Sequence, residues 1–411
     1  MMRSMFAGVS GTRAHQVRMD VIGNNIANVN TVGFKYGRAT FQDMLSQTLR
    51  GASSPKGKRG GIDPMQVGMG VSLRSVDIVF TPGNLESTGK LTDMAIQGNG
   101  FFVVRDASDA LLFTRDGAFK IDAFGQLTHP ATGYQVQGWM ADASGKVDSK
   151  GEPEAISIPL GTSMNATATS EVGFVGNLDA GAATAASSDA AIPVYDSLGE
   201  QHTVRVSFTK TANPREWTWN ATFDGGAGSV GSGTITFKND GKFDSVTPTP
   251  STVSVASLPN GAKALSIDMD FSALSQYGQA SSVSWSHQNG FPAGSLETFN
   301  IDDRGIITGV YSNGQYDVIA QMALASFANS EGLMRAAGNM FVQTTNSGTA
   351  QVGEAAMGGR GSILGTTLEM SNVDLAREFT DMIVTQRGFQ ANSRVITSAD
   401  EMLQELLSLK R

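Results

Sequence analysis

Trp217 and Trp219 stand two residues apart in an alternating stretch, so both rings project from one face of a strand. Such a pair stacks on a sugar ring, and with Tyr277 it would form a carbohydrate platform. Burial in a core or a domain interface is the more frequent fate of aromatic residues placed this way. Asp268 and Asp270 alternate in the same manner, and Asp302 adjoins Asp303. Paired carboxylates perform acid–base hydrolysis when their separation is right, yet alternating Asp residues between apolar neighbours are more simply the wet face of a strand. His15, His129, His202 and His287 are scattered without metal-ligand spacing, which favours ordinary surface or half-buried roles over coordination. Gly225-Gly226-Ala227-Gly228 lacks the Gly-Lys-Ser/Thr ending of a phosphate loop and reads as a turn. The absence of Cys excludes a thiolate nucleophile, a thiolate metal site and a disulfide framework. Arg50, Lys56, Lys58 and Arg59 form a basic group without interleaved aromatics, and the net charge is -8, so neither nucleic acid nor an anionic membrane is the expected partner. The expectation is a protein with no catalytic residue, no metal and no cofactor.

The elements that carry these residues form a chain of 411 residues, enough for more than one core. Hydrophobic residues make up 40% of it, charged residues 17%, and glycine fills 48 positions, a mixture suited to turn-rich β structure. From Met2 to Asn28, the residues Met2, Met5, Phe6, Val9, Val17, Val21 and Ile26 follow a helical stripe interrupted by Gln16 and Asn24. Asn24, Asn25, Asn28 and Asn30 crowd its exit, and Thr31-Val32-Gly33-Phe34 turns into extended chain. Residues 46–70 carry Pro55, Pro64 and no sustained apolar period, which predicts a long loop or extended arm.

Short strands follow over residues 71–160, where Asp116-Gly117 between Leu111–Phe113 and Phe119–Ile121 predicts a hairpin. Past Gly161 the composition shifts to Ala, Ser, Thr and Gly. Alternation then returns in 203–208, 217–223 and 265–271, the pattern of strands covering one side of a core. Hairpin signals recur at Asp303-Arg304-Gly305 and Ser312-Asn313-Gly314, so the simplest arrangement inserts 161–290 into a domain made of the flanking segments.

The C-terminal segment is the clearest. Leu368, Leu375, Met382, Phe389, Ile396 and Leu403 recur every seven residues, and Phe379, Val395, Met402 and Leu407 add apolar positions nearby. Ser371 with Asp374 suggests a capping box and a helix from Asn372 to Leu409. At roughly 50 to 60 Å it is too long to bury against a small β domain and needs a helical partner, for which the N-terminal stripe is the candidate. Gly388 within this helix suggests that another backbone passes close by. The N-terminus lacks the apolar run and cleavage site of a signal peptide, and no stretch approaches the roughly 18 apolar residues of a membrane span.

Gly23-Asn24-Asn25-Ile26-Ala27-Asn28-Val29-Asn30-Thr31-Val32-Gly33-Phe34-Lys35 resembles the signature shared by flagellar rod and hook proteins. Leu368-Glu369-Met370-Ser371-Asn372-Val373-Asp374-Leu375, running on to Gln386-Arg387-Gly388-Phe389-Gln390-Ala391-Asn392-Ser393, is similar to its C-terminal counterpart. Asn372-Val373-Asp374 together with the Pro64-Met65-Gln66-Val67-Gly68-Met69-Gly70-Val71 segment is similar to hook and distal-rod members, and the large inserted β region favours the hook side of the family.

The resemblance implies a mainly β chain with long terminal α-helices. Residues 1–70 and 366–411 would form a coiled-coil polymerisation domain with an extended arm. Residues 71–160 and 291–365 would form an inner β domain, and 161–290 an outer β domain inserted into it. It further implies a curved, extracellular tube continuous with the basal body, which passes motor torque to the filament as a universal joint. Subunits would be exported through the flagellar type III apparatus without a cleavable signal. The implied partners are further copies of the chain, the distal rod, the hook cap, the hook–filament junction proteins and the export apparatus, with no membrane insertion. The expected polymerisation interface comprises Met5, Phe6, Val9, Val17, Val21, Asn24, Asn25, Ile26, Asn28, Leu375, Phe379, Met382, Gly388, Phe389, Ile396 and Leu403. A distal-rod drive shaft and a secreted glycan-binding module are the competing readings.

Overall fold

The computed structural model describes residues 2–408 apart from 56–59, 143–144, 160, 162, 225–227, 257 and 259–260. Lys56, Lys58 and Arg59 of the basic group, Gly225, Gly226 and Ala227 of the glycine turn, and the expected helix end at Leu409 therefore lie outside the described residues. The chain divides into two compact units. One comprises residues 1–158, 299–308 and 318–411, the other residues 159–298 and 309–317.

The second unit is a β-sandwich. Five antiparallel strands, Ser187–Tyr195, Gln201–Lys210, Glu216–Phe223, Ser229–Phe237 and Phe243–Thr247, follow one another as a meander. The facing sheet has the order Thr252–Val255, Leu265–Ser275, Glu171–Asn177, Ser284–Gln288, and its middle pair is parallel. Burial alternates along these strands as the sequence predicts. Val204, Val206 and Phe208 point inward from one sheet, as Leu265, Ile267, Met269 and Phe271 do from the other. Asp268 and Asp270 occupy the exposed positions between them, the bland reading of that pair. Trp217 and Trp219 are both 1% exposed within the same core. The carbohydrate platform is thereby corrected: rings that fill the space between two sheets offer no face to a sugar.

The first unit joins two long helices, α1 (Met2–Ala27) and α2 (Leu375–Ser408), to a mixed set of shorter strands. Its central sheet runs from Gln135–Met140 through Phe101–Arg105 and Leu111–Thr114 to Met340–Val342 and Met334–Arg335. Phe101, Phe113 and Phe341 belong to its core, with Phe80 and Phe327 packed edge-on against them at centroid distances of 4.8 to 5.8 Å.

Three local expectations change. Leu111–Thr114 pairs with Phe101–Arg105, while Lys120–Ile121 pairs with Leu127–Thr128, so Asp116-Gly117 is no hairpin turn. Gly117 instead permits a close approach, because a Cβ there would collide with the Met94 carbonyl. Within 46–70, Ser46–Arg50 pairs antiparallel with Met65–Gly68. The stretch is thus a two-stranded ribbon, which needs no apolar period because both of its strands are exposed. Finally, α2 starts at Leu375 rather than Asn372. Asp374 is its cap, its Oδ1 accepting from the amides of Ala376 at 3.0 Å and Arg377 at 3.3 Å, where a carboxylate also suits the helix dipole. Ser371 accepts only from the nearby Val373 amide.

Candidate functional site

The two terminal helices pack antiparallel, Gly8 and Gly11 lying against Ile396 and Asn392, His15 against Gly388, and Arg18 against Asp381. Their shared seam is made of small and polar residues. Gly8, Gly11, Ala14, Ile22 and Asn25 are buried on α1, and Glu378, Thr385 and Ala399 on α2. Small residues let the axes approach. A Cβ at Gly11 would stand 2.7 Å from the Asn392 side chain, and one at Gly8 3.0 Å from Ile396 and 3.3 Å from the Asn392 carbonyl. At Gly388 the neighbour is not a backbone, as the sequence suggested, but the His15 ring, 2.6 Å from a Cβ built there. The helix gives up about 1 kcal/mol of propensity at that glycine to make room for an imidazole. Burial first, then the nearby Arg18 charge, pushes His15 below the ordinary histidine pKa.

Polar side chains fasten the lower end of the pair. Arg18 and Asp381 form an ion pair at 2.9 Å. The Asn25 amide donates to the Gly37 carbonyl at 2.8 Å and to Glu378 Oε2 at 3.2 Å, and its Oδ1 accepts from the Gly37 amide at 2.9 Å. Asn25 thus completes the backbone bonding of the strand Gly37–Asp43 and ties it to both helices. Burial raises the Glu378 pKa and the Asp381 charge adds to the rise, against the lowering hydrogen bond from Asn25.

Below this, the chain segments next to the two helices are clasped by a buried charge cluster. Lys35 Nζ lies 2.5 Å from Glu369 Oε1, and Arg115 lies 3.2 Å from Oε2, with all three side chains at 2% exposure or less. Lys35 also donates to the Thr81 carbonyl and Arg115 to Gly98, while the Gly83 amide donates to Glu369. Burial pushes Lys35 and Arg115 below their ordinary values, and the Glu369 carboxylate opposes that shift. Asn372 extends the clasp, accepting from the Tyr36 amide at 2.8 Å and donating to the Val79 and Thr81 carbonyls. Lys35, Glu369 and Asn372 lie inside the two terminal motifs, the signal that could have singled them out, but they were not among the expected interface residues. Arg115 carries no such mark.

Of the expected interface residues, only Asn25 is buried in this chain. Met5, Val17, Val21, Ile26, Asn28, Met382, Gly388, Ile396 and Leu403 are half-buried, whereas Phe6, Val9, Asn24, Leu375, Phe379 and Phe389 are exposed. Ile383, Val384, Val395, Met402, Leu406 and Leu407 are exposed as well. Beside α1, an apolar groove of roughly 630 Å³ is lined by Phe6, Val9, Val17, Met44, Leu45, Met69 and Val71. Ile22 apart, the helix pair therefore buries small and polar residues and leaves most of its large apolar ones exposed or half-buried. Among the described residues, no helix is long and apolar enough to cross a membrane.

Comparison with known proteins matches four family profiles to successive parts of the chain. They are described as flagella basal body rod protein at residues 5–35, flagellar hook protein FlgE/F/G D1 domain at 95–176, flagellar basal body protein FlaE D2 domain at 162–291, and flagellar basal body rod FlgEFG protein C-terminal at 365–409. The chain is 42% identical to the flagellar hook protein FlgE of Treponema pallidum and 40% identical to that of Borreliella burgdorferi, each alignment covering 100% of both chains. In fold it resembles the crystal structure of Helicobacter pylori flagellar hook protein FlgE2, with a TM-score of 0.53 at 14% identity, over 71% of this chain and 100% of that one.

Proposed function

The chain belongs to the flagellar hook protein family, and we propose that it serves there as a structural subunit of the hook that polymerises through its paired terminal helices. The observation that carries the helix assignment is the inverted pair. Phe6, Phe379, Ile383, Val384, Phe389 and Leu407 are each 41% or more exposed on α1 and α2 while the buried positions between the helices are mostly small or polar, with Ile22 the one large apolar residue buried there among the described residues. An apolar surface of that kind is satisfied by further helices, and in a homopolymer those belong to copies of the same chain. Each buried Phe, Leu or Ile then contributes about 1.5 to 3 kcal/mol, a term repeated at every subunit.

On this reading the protein forms a curved, extracellular joint and performs no catalysis. It meets the distal rod at one end, the cap and the junction proteins at the other, and reaches its place through the export apparatus. The expected β domains, 71–160 with 291–365 and 161–290, differ from the two compact units in that residues 291–298 and 309–317 belong with the second unit. The distal-rod reading is less supported, since the relatives at 42% and 40% identity are hook proteins.

The test compares polymers of the wild-type chain with those of a double variant, Ile383→Asp with Phe389→Asp, by sedimentation and electron microscopy. Curved tubes are expected from the wild type. The variant should stay soluble while its β units melt as before. Straight wild-type polymers would return the rod reading, and normal polymerisation of the variant would remove the exposed face of α2 from the interface.

A further inference from the structure

The second unit holds a histidine among three carboxylates, far in sequence from the helices. The strand Ser187–Tyr195 turns through Asp196 and Glu200 into Gln201–Lys210, whose second residue is His202. Asp196 shapes the turn, its Oδ1 accepting from the Leu198 amide at 2.8 Å and the Glu200 amide at 2.9 Å. Its Oδ2 lies 3.4 Å from His202 Nε2. On the other edge of the ring, Nδ1 lies 2.7 Å from Asp224 Oδ2, and Asp224 Oδ1 accepts from the Thr203 amide. The Asp196 and His202 side chains are 0% and 5% exposed, whereas Glu200 is exposed. One ligand atom each from Asp196, Glu200 and His202 lies within 4.8 Å of the other two.

We propose that Asp196, Glu200 and His202 bind a divalent transition metal of the zinc class, with Asp224 as the partner that orients the imidazole. The two edges of the ring are held at different distances, 2.7 Å at Nδ1 and 3.4 Å at Nε2. The Nδ1 contact is a short, strong hydrogen bond, whereas 3.4 Å exceeds the ordinary range for one. Two ligands at about 2.1 Å from a tetrahedral cation stand about 3.4 Å apart, the separation of Nε2 and Asp196 Oδ2. With a cation bound, donation of Nδ1–H to Asp224 would leave Nε2 unprotonated and facing the two remaining carboxylates, the carboxylate–histidine–metal arrangement of metalloproteins. One nitrogen and two carboxylate oxygens suit zinc, leave a fourth position for water, and are too few oxygens for calcium. Glu200, exposed at the end of the turn, is the ligand that swings inward. The bound ion would tie the turn at 196–200 to the strand it feeds.

The test titrates the tag-free full chain with zinc by calorimetry and native mass spectrometry. A single zinc per chain is expected, with a rise in the melting temperature of the wild type. Glu200→Gln alters an exposed side chain and should weaken uptake at least about tenfold, and Asp224→Asn, which keeps the acceptor for Thr203, about 10- to 100-fold. Calcium should give no comparable shift. No zinc uptake by the wild type, uptake unchanged in both variants, or an equal response to calcium would each overturn the site.

Discussion

The sandwich of the second unit and the helix pair of the first solve the burial of apolar residues in opposite ways. In the sandwich, Trp217, Trp219, Phe174, Phe208 and Phe271 lie inside, with alternating polar residues outside. In the helix pair, Gly8, Gly11, Glu378 and Thr385 lie inside, and Phe6, Phe379, Ile383 and Phe389 lie outside. The sandwich completes its own core and needs nothing further. The helix pair has a specific, close-fitting seam but little apolar burial, so its stability must grow when its outer faces are covered. On the proposed function, one chain thus separates a part that is finished on folding from a part that is finished on assembly.

The largest expected effect tests the finished part. Trp219→Ala should destabilise the second unit by about 3 to 5 kcal/mol, read as a lowered melting transition, because the vacated space lies between two sheets that cannot collapse around it. The helix pair, which shares no core residue with it, should keep its helical circular dichroism and its polymerisation. A loss of both together would show that the two regions do not fold independently.

A comparable effect is expected at the clasp. Glu369→Ala leaves Lys35 and Arg115 as buried cations without their counter-charge, a change that typically costs about 3 to 5 kcal/mol. Unlike Trp219→Ala, it should loosen the exit of α1 and the entry of α2, seen as faster hydrogen exchange at Gly33 and Tyr36, while the sandwich melts normally. Unchanged exchange at those amides would mean that Asn372 and the strand pairing hold the clasp alone.

How far the sequence reached differs between the same two regions. Period-two alternation placed Trp217, Phe208 and Ile267 on the inner face because in a sandwich the apolar residues are the buried ones. In α2 the seven-residue period was legible but not its phase. The apolar set Leu375, Met382 and Phe389 precedes by three positions the set Glu378, Thr385 and Asn392, and of the apolar series only its later member Ile396 lies against a glycine of α1. A hydrophobic period reports which face avoids water, and on the proposed function that face is covered by neighbouring subunits. The charge cluster was hidden for another reason: Lys35 and Glu369 are 334 residues apart, and nothing in either local pattern names the other.

A smaller effect probes the fit of the seam. Gly388→Leu should cost about 1 to 3 kcal/mol of helix-pair stability by driving a branched side chain into His15. Limited proteolysis within α1 should accelerate, with no change in the sandwich. If His15 simply swings aside and proteolysis is unaltered, the close approach at this level is not what holds the helices in register.

The smallest effect separates the seam's polarity from its shape. Glu378 is buried between the helices with a raised pKa, due first to burial and then to the Asp381 charge, so the folded pair binds its proton more tightly than the unfolded chain does. A carboxyl with that shift stabilises the pair fully below its unfolded pKa, and the contribution is lost as the pH rises from the unfolded value through the folded one. Acidification through the interval between the folded and the unfolded pKa should therefore strengthen the pair through Glu378. His15 acts in the opposite sense, because its lowered pKa makes protonation below about pH 6.5 unfavourable in the folded pair. The two slopes overlap in the wild type, and the difference between wild type and Glu378→Gln isolates one of them. The glutamine keeps an acceptor for Asn25 and carries no charge to desolvate. At neutral pH, Glu378→Gln should slow hydrogen exchange in both helices, and this advantage should shrink toward the ordinary glutamate pKa, where the wild-type side chain is itself neutral. An advantage independent of pH would mean that the variant acts through packing, and that the seam tolerates a buried charge as readily as it tolerates glycine.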